Sequence, residues 1–391
     1  MKINIFDFLP QKDIILKLND STRQNLFSNF NMPLTALSEK TKIHIKNLSR
    51  YRNGSRGIPL MSFLKLISLA NLDIDYFQNK ISLKLTKEGT DVKIGPFLEI
   101  TPEWVYFSEL IRGDGHITPN FWTVYIVNKE KKLINIAIKF FHDVGVPKER
   151  MTLFVNNGVY SLNIRSKILA YLLYSIFRIP PGKKFETNIQ SFIYENKSFV
   201  TAAIGGAFDA EGTVQIGSSN YTTPRRIVIA SISKNWLLDL QRLLKILSIE
   251  SCIKKEIRKS YKPIYRLYVT HQKNLKRFYD TVKINHPKRK NKLNKLLKTF
   301  NQNRHPEGDL RIKVFEAIKD GKVKRSEIIN HLNISNSSAG WQLKWLLEHG
   351  FIKISKKITT NNGSYYIYKI NNQTNFGLLE RYKGKGKGLK G

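Results

Sequence analysis

Two nine-residue segments of this chain, Phe107-Ser-Glu-Leu-Ile-Arg-Gly-Asp-Gly115 and Ile204-Gly-Gly-Ala-Phe-Asp-Ala-Glu-Gly212, state one pattern twice, and each closes on a carboxylate followed by glycine. In the second copy, Ala202, Ala203, Gly205, Gly206, Ala207 and Ala210 leave a helix almost without side chains. Glycine inside a helix costs about 1 kcal/mol relative to alanine, so two in succession need compensation. Close approach of a second backbone supplies it, which predicts that the two motif helices pack against each other. Gly115 and Gly212 are then the expected stops, on the argument that glycine tolerates the positive φ of a helix end. Parallel helices ending together bring Asp114 and Glu211 side by side, and hard divalent cations take such oxygens. The pair predicts a Mg²⁺ or Mn²⁺ site, with the Gly113 and Ala210 carbonyls as further oxygens. The plainer alternative is a buried small-residue helix pair with two acids by chance. Acids at helix C-termini oppose the macrodipole, which counts against it.

These segments resemble the two motifs of the LAGLIDADG homing endonucleases in their monomeric, double-motif form, over roughly residues 100 to 300. Ile179-Pro-Pro-Gly-Lys-Lys184, Ile193-Tyr-Glu-Asn-Lys197 and Ile284-Asn-His-Pro-Lys288 with Leu293 are similar to stretches of archaeal members. Glu109 departs from the usual small residue at the third motif position, so the helix packing must accommodate a carboxylate or splay to expose it. The resemblance implies a site-specific endonuclease that cuts double-stranded DNA at a long asymmetric site, across the minor groove, with short 3′ overhangs. It also implies one lysine from each half near the scissile phosphate: Lys184, with Lys183 as rival, and Lys288, with Lys290 as rival.

Phosphodiester hydrolysis needs an in-line water, a cation to hold it and positive charge for the leaving oxygen. Asp114 and Glu211 are weak bases, so metal binding is their expected role. Gln215, Asn128 with Lys129, and Ser233 with Lys234 could orient waters. His116 invites a catalytic role, but the second motif carries Thr213 in its slot and symmetric chemistry would not need it. Asp209, the counterpart of Arg112, reads as a helix-surface partner. His271, His286 and His305 lack metal-ligand spacing.

Composition agrees independently with a nucleic-acid partner. Lysine and arginine total 66 against 30 acids, a formal charge of +36, which is the electrostatic footprint of a nucleic-acid binder. Dispersed lysines that merely solvate the surface are the alternative. The length of 391 residues suggests two to four domains. One cysteine, Cys252, excludes an internal disulfide framework and a cysteine-cluster zinc site. With no signal-peptide h-region and no run near the ~20 apolar residues of a membrane span, a cytoplasmic, prokaryotic protein without membrane association is expected.

Residues 1–85 read as an all-α helix-turn-helix domain, in which Lys46, Ser49, Arg50 and Arg52 would face the DNA major groove. From 100 to 198 and from 199 to 300 the periodicity predicts helix, two strands, helix, two strands, helix, stated twice. The fold class is therefore α+β: two pseudo-symmetric αββαββα halves whose open sheet faces form a saddle for duplex DNA. Arg225, Arg226, Lys254, Lys255, Arg258, Lys259 and Lys262, interleaved with Tyr221, Tyr261 and Tyr265, are the expected contacts there. Residues 309–372 predict a winged helix with Gln342, Lys344 and Trp345 along the recognition helix and a hairpin at Asn361-Asn-Gly363. Residues 373–391 form a basic tail. Two other functions fit the same scaffold: a non-cleaving transcription regulator and an RNA maturase. Self-splicing is not expected, since no terminal His-Asn precedes a nucleophile.

Overall fold

Helices Pro102–Asp114 and Lys197–Glu211 lie side by side at the centre of the larger of two compact units, residues 1–214 with 226–293. The computed structural model describes residues 1–85, 92–182, 186–216, 225–257, 263–300, 309–360, 363–371 and 379. The second unit comprises residues 215–225 and 294–391.

The N-terminal region holds strands β1 (Lys2–Asn4), β2 (Ile14–Leu18), β3 (Ile58–Pro59), β4 (Ile81–Leu85) and β5 (Phe97–Glu99) among helices α1 (Asp20–Ser28), α2 (Leu34–Thr41), α3 (Ile45–Arg52) and α4 (Leu60–Leu69). The strands pair antiparallel as β3-β2-β4 and β1-β5. This corrects the all-α expectation. Ile14, Leu16 and Leu18 face the core while Ile15 and Lys17 do not, and β4 repeats the alternation, a period of two that marks a strand. Within it, α2 ends on Lys42 at φ 57°, and α3 follows with Leu48 and Tyr51 buried. That is a helix, a left-handed turn residue and a second helix.

The central helix α5 (Pro102–Asp114) opens on proline at its first turn, where no amide hydrogen is needed. It leads to β6 (Gly115–Ile117), β7 (Val124–Asn128), α6 (Lys131–Asp143), β8 (Met151–Asn156), β9 (Val159–Ile164) and α7 (Lys167–Phe177). The second central helix α8 (Lys197–Glu211) leads likewise to β10 (Gly212–Gln215), β11 (Arg226–Ser231), α9 (Lys234–Ile246), β12 (Cys252–Glu256), β13 (Ile264–Val269) and α10 (Gln272–Thr281), followed by α11 (Pro287–Lys298). The sheets run β6-β7-β9-β8 and β10-β11-β13-β12, so each places its four strands in the same relative order.

The α5/α8 pair is buried nearly all round, as central helices must be. A side chain at Gly206 would strike the Tyr106 carbonyl oxygen and approach Glu109 Cβ, and one at Gly205 would lie 2.7 Å from the Lys283 carbonyl oxygen. The small-residue run thus serves close approach, as its sequence predicts. Gly115 and Gly212 serve the same end and not the expected positive φ. Their φ values are −130° and −74°, both extended, but a Cβ would meet the Tyr125 carbonyl at Gly115 and the Phe208 carbonyl and ring at Gly212.

In the second unit, α12 (Asp309–Lys319), α13 (Arg325–Leu332) and α14 (Asn336–Glu348) enclose Val314, Phe315, Ile318, Ile328, Leu343 and Leu346. Strands β14 (Ile352–Thr360) and β15 (Gly363–Ile370) pair antiparallel, with a bulge between Ile354 and Lys356, and Lys324 bridges to Ile367. Residues 361 and 362 of the expected hairpin turn, and the basic tail apart from Leu379, lie outside the described residues.

Candidate active site

Asp114 and Glu211 are the last residues of α5 and α8. The two helix ends touch: a Cβ on Gly113 would meet Ala210 Cβ and lie 3.1 Å from Glu211 Cγ. Glycine and alanine at these positions are what allow two like-charged residues to end side by side. Asn128, at the end of β7, donates through Nδ2 to Asp114 Oδ2 at 2.6 Å, while its own Oδ1 accepts from the Glu130 amide at 2.7 Å. That pins one carboxylate to the first sheet.

A cavity flanks each acid. One, of about 480 Å³, is lined by Asp114, Asn128, Lys129, Glu130, Ala210 and the segment His286, Lys288 and Arg289. The other, of about 400 Å³, is lined by Glu211, Gly113, Arg112, Thr187 and the segment from Ala230 to Ser233 at and just past the end of β11. Lys288, the lysine expected near a phosphate, is therefore at the first cavity, largely exposed and 3.9 Å from Glu130. Lys184 and Lys183 lie outside the described residues. Ser233, expected to orient water, instead caps α9 by accepting from the Trp236 amide, and also bonds Glu186.

The Ala210 carbonyl, one of the expected metal oxygens, carries a hydrogen bond of its own. Arg289, in the first turn of α11, donates to the carbonyls of Phe208, Asp209 and Ala210, the last at 2.9 Å. The Phe208 carbonyl also accepts the Gly212 amide, while those of Asp209 and Ala210 are among the acceptors a helix leaves without an intrahelical donor at its C-terminus, and the guanidinium serves all three. Among the described residues no three His, Cys, Asp or Glu side chains gather around a metal position.

Asp209 is fully buried, which corrects its reading as a helix-surface residue. Its Oδ2 accepts from the Tyr106 hydroxyl and the Asn285 amide, both at 2.8 Å. Burial pushes its pKa up to about 6 against these hydrogen bonds and the nearby Arg289 charge. Burial, aided by Arg289, pushes His286 down to about 4. Glu109, the departure from the motif, is buried without splaying the helices: both its oxygens accept from Arg112 Nε at 3.1 Å, and Trp236 Nε1 donates to Oε2 at 2.7 Å.

The sheet faces sort the basic residues. In the second sheet, fully buried Ile227, Ile229, Leu267 and Val269 share the helix-covered face with Lys255, while Arg226, Lys254 and Arg266 share the other. Lys254 and Lys255 are neighbours in a strand and so point apart, which removes Lys255 from the open face. Arg266, missed in the sequence because it sits between apolar residues, belongs there and pairs with Glu256 at 2.7 Å. Arg226 stacks over Tyr268 at 4.4 Å and Arg225 over Phe300 at 4.8 Å. Arg258, Lys259, Tyr261, Lys262 and Tyr221 lie outside the described residues. On the first sheet, His116 stacks on Tyr125 with ring centroids 4.5 Å apart.

In the N-terminal domain Lys46, Ser49, Arg50 and Arg52 are exposed on α3. In the second unit Gln342 accepts from Arg311 at 3.3 Å and Lys344 pairs with Glu348 at 3.6 Å. No helix among the described residues is long and apolar enough to cross a membrane.

Residues 198–283, spanning α8 to α10, match the family model of the LAGLIDADG-like domain. No curated protein matches the chain. Similar solved structures include I-DmoI in complex with DNA and Ca, at 20% identity over 46% of this chain and 87% of that one, TM-score 0.34. I-WcaI bound to its DNA recognition sequence is similar at 19% identity over 49% and 85%, TM-score 0.35. Full-length DUF199/WhiA from Thermatoga maritima is similar at 11% identity over 64% and 93%, TM-score 0.35. Residues 198–283, the second motif helix with its sheet, are therefore similar to a LAGLIDADG-like domain, and the first motif helix packs against that helix.

Proposed function

We propose that the chain is a site-specific endonuclease that hydrolyses phosphodiester bonds of double-stranded DNA with a divalent cation, Mg²⁺ or Mn²⁺. The observation that carries this is the meeting of Asp114 and Glu211 at two touching helix ends, each beside its own cavity. Two carboxylates at helix C-termini gain nothing from the dipole, and in a pure DNA binder they would face phosphate as like charges. The hard oxygens of Asp114, Glu211 and the Gly113 carbonyl suit the ion. When bound, it supplies an activated water and offsets charge on the phosphate.

The chain's own groups do the rest. Asn128 fixes the Asp114 carboxylate, and Lys288 offers its charge to the leaving oxygen once a phosphate displaces Glu130. The two sheets act as pseudo-symmetric halves of a DNA saddle, with Arg226, Lys254 and Arg266 holding backbone phosphates. The N-terminal helix-turn-helix and the C-terminal three-helix-and-ribbon domain, read as a winged helix, extend the contact through Lys46, Arg50 and Lys344. The chain acts as a monomer, since both acids come from one polypeptide.

A non-cleaving regulator is the second reading, favoured by the exposed basic face of α3. Supercoiled plasmid libraries incubated with protein in Mg²⁺ or in EDTA separate the two. Linear product in Mg²⁺ alone, lost with Asp114→Asn and Glu211→Gln, supports the endonuclease; tight binding in both buffers without a nick supports the regulator.

A further inference from the structure

The guanidinium of Arg289 occupies a position that no motif residue explains. It reaches from the start of α11 to three successive carbonyls in the last turn of α8, one residue short of Glu211. The same short segment is held from the other direction, because the Asn285 amide donates to Asp209 Oδ2 on α8. Asp209 and Arg289 thus form a reciprocal clasp, one accepting from residues 285–289 and the other donating back to the helix. The clasp fixes Lys288, which lies between its two ends, and it lines the cavity beside Asp114.

We propose that Arg289 is a positioning residue that also acts electrostatically, as the resident cation of the Asp114/Glu211 pair, holding the two carboxylates together before a metal arrives. This rests on the reading of that pair as a metal site. Three features of the helix ends call for such a cation. Both acids sit at the negative end of a helix dipole, they adjoin each other, and the α8 carbonyls beneath them carry further partial negative charge. A planar guanidinium with donors in a fork bonds several carbonyls at once, which an ammonium cannot do. Burial weakens the charged form of Arg289, while Asp114, Asp209 and Glu211 strengthen it, the pattern of a cation set among these acids.

The consequence is a trade. A permanent positive charge beside the pair makes the metal-free site stable but opposes the incoming cation. Arg289→Gln keeps donors for the carbonyls and removes the charge; Arg289→Lys keeps the charge and loses the fork. Mn²⁺ binding to the full-length protein, followed by the electron paramagnetic resonance of the free ion, reads the difference without requiring activity. Arg289→Gln is expected to bind Mn²⁺ roughly fivefold more tightly or better, fivefold being the water-screened lower bound for one unit charge acting on another at about 4 Å. Arg289→Lys should bind as wild type does while melting at a lower temperature. An unchanged or weaker Mn²⁺ affinity in Arg289→Gln, with the site still lost in Asp114→Asn/Glu211→Gln, overturns the role of Arg289 alone. Mn²⁺ binding that survives Asp114→Asn/Glu211→Gln overturns the metal-site reading, and this one with it. Should Arg289→Gln fail to fold, the Arg289→Lys comparison decides: its Mn²⁺ affinity must match wild type.

Discussion

Trp236 Nε1 donates to Glu109 Oε2 at 2.7 Å, tying the residue that departs from the motif on α5 to the first turn of α9. Glu109 also holds Arg112, whose guanidinium reaches the Phe177 and Arg178 carbonyls. One buried carboxylate therefore joins both halves of the larger unit. Replacing Trp236 by Phe removes a hydrogen bond to a charged group and should cost about 1.5–3 kcal/mol in urea unfolding. Glu109→Gln leaves Arg112 buried without its counter-charge and should cost more, about 3–5 kcal/mol. Equal, small effects would mean the network contributes little.

Gly113→Ala tests the closeness of the helix ends. The added methyl meets Ala210 Cβ and the stem of Glu211, so α5 and α8 must part there. A stability loss of about 1–3 kcal/mol is expected, with weaker Mn²⁺ binding, because overpacking shifts backbone. Retained affinity would show that the pair tolerates separation.

Asp209 gives a pH signature. Its folded pKa of about 6 lies above the ordinary carboxylate value of 3.8, so between these limits the folded state holds the extra proton. Stability contributed by this group is full below pH 4, falls as pH rises to about 6, and stays lower above it. The two-unit difference corresponds to roughly 2–3 kcal/mol. Asp209→Asn, which can still accept from Tyr106 and Asn285, should flatten this part of the stability curve. A mutant curve parallel to wild type from pH 4 to 6 would contradict the assignment.

Phosphate contacts predict a steep fall of DNA affinity with salt, by release of condensed counterions. Arg226→Ala, Lys254→Ala and Arg266→Ala should each reduce the log–log slope by about one, whereas Lys255→Ala, on the helix-covered face, should leave it unchanged. A flat salt dependence in the wild type would remove the saddle from the account.

Much of this architecture is legible in the sequence where apolar spacing is strong. Helix α6 over Lys131–Asp143, strand β11 over Arg226–Ser231 and helix α12 over Asp309–Lys319 lie where periodicity puts them. Of the N-terminal strands, β1, β3 and β5 are two or three residues long, too short to show a period, whereas β2 and β4 carry an alternation that the helical reading of this region passed over. Asp114 and Glu211 are legible because a repeat announces them. Arg289 is not, standing in the basic run Lys288-Arg-Lys290, where nothing local marks one guanidinium as buried. Glu109 is legible as an anomaly, but its partner Trp236 is 127 residues away, and only packing joins them.

Whether Asp114 and Glu211 support DNA cleavage is decided by selecting cleaved molecules from a randomised duplex library. With Mg²⁺, the wild type should enrich one long asymmetric site, and Asp114→Asn with Glu211→Gln should enrich nothing while still retaining bound DNA. Recovery of a bound site with no cut in either protein would rule out the endonuclease and leave the carboxylate pair without a catalytic role.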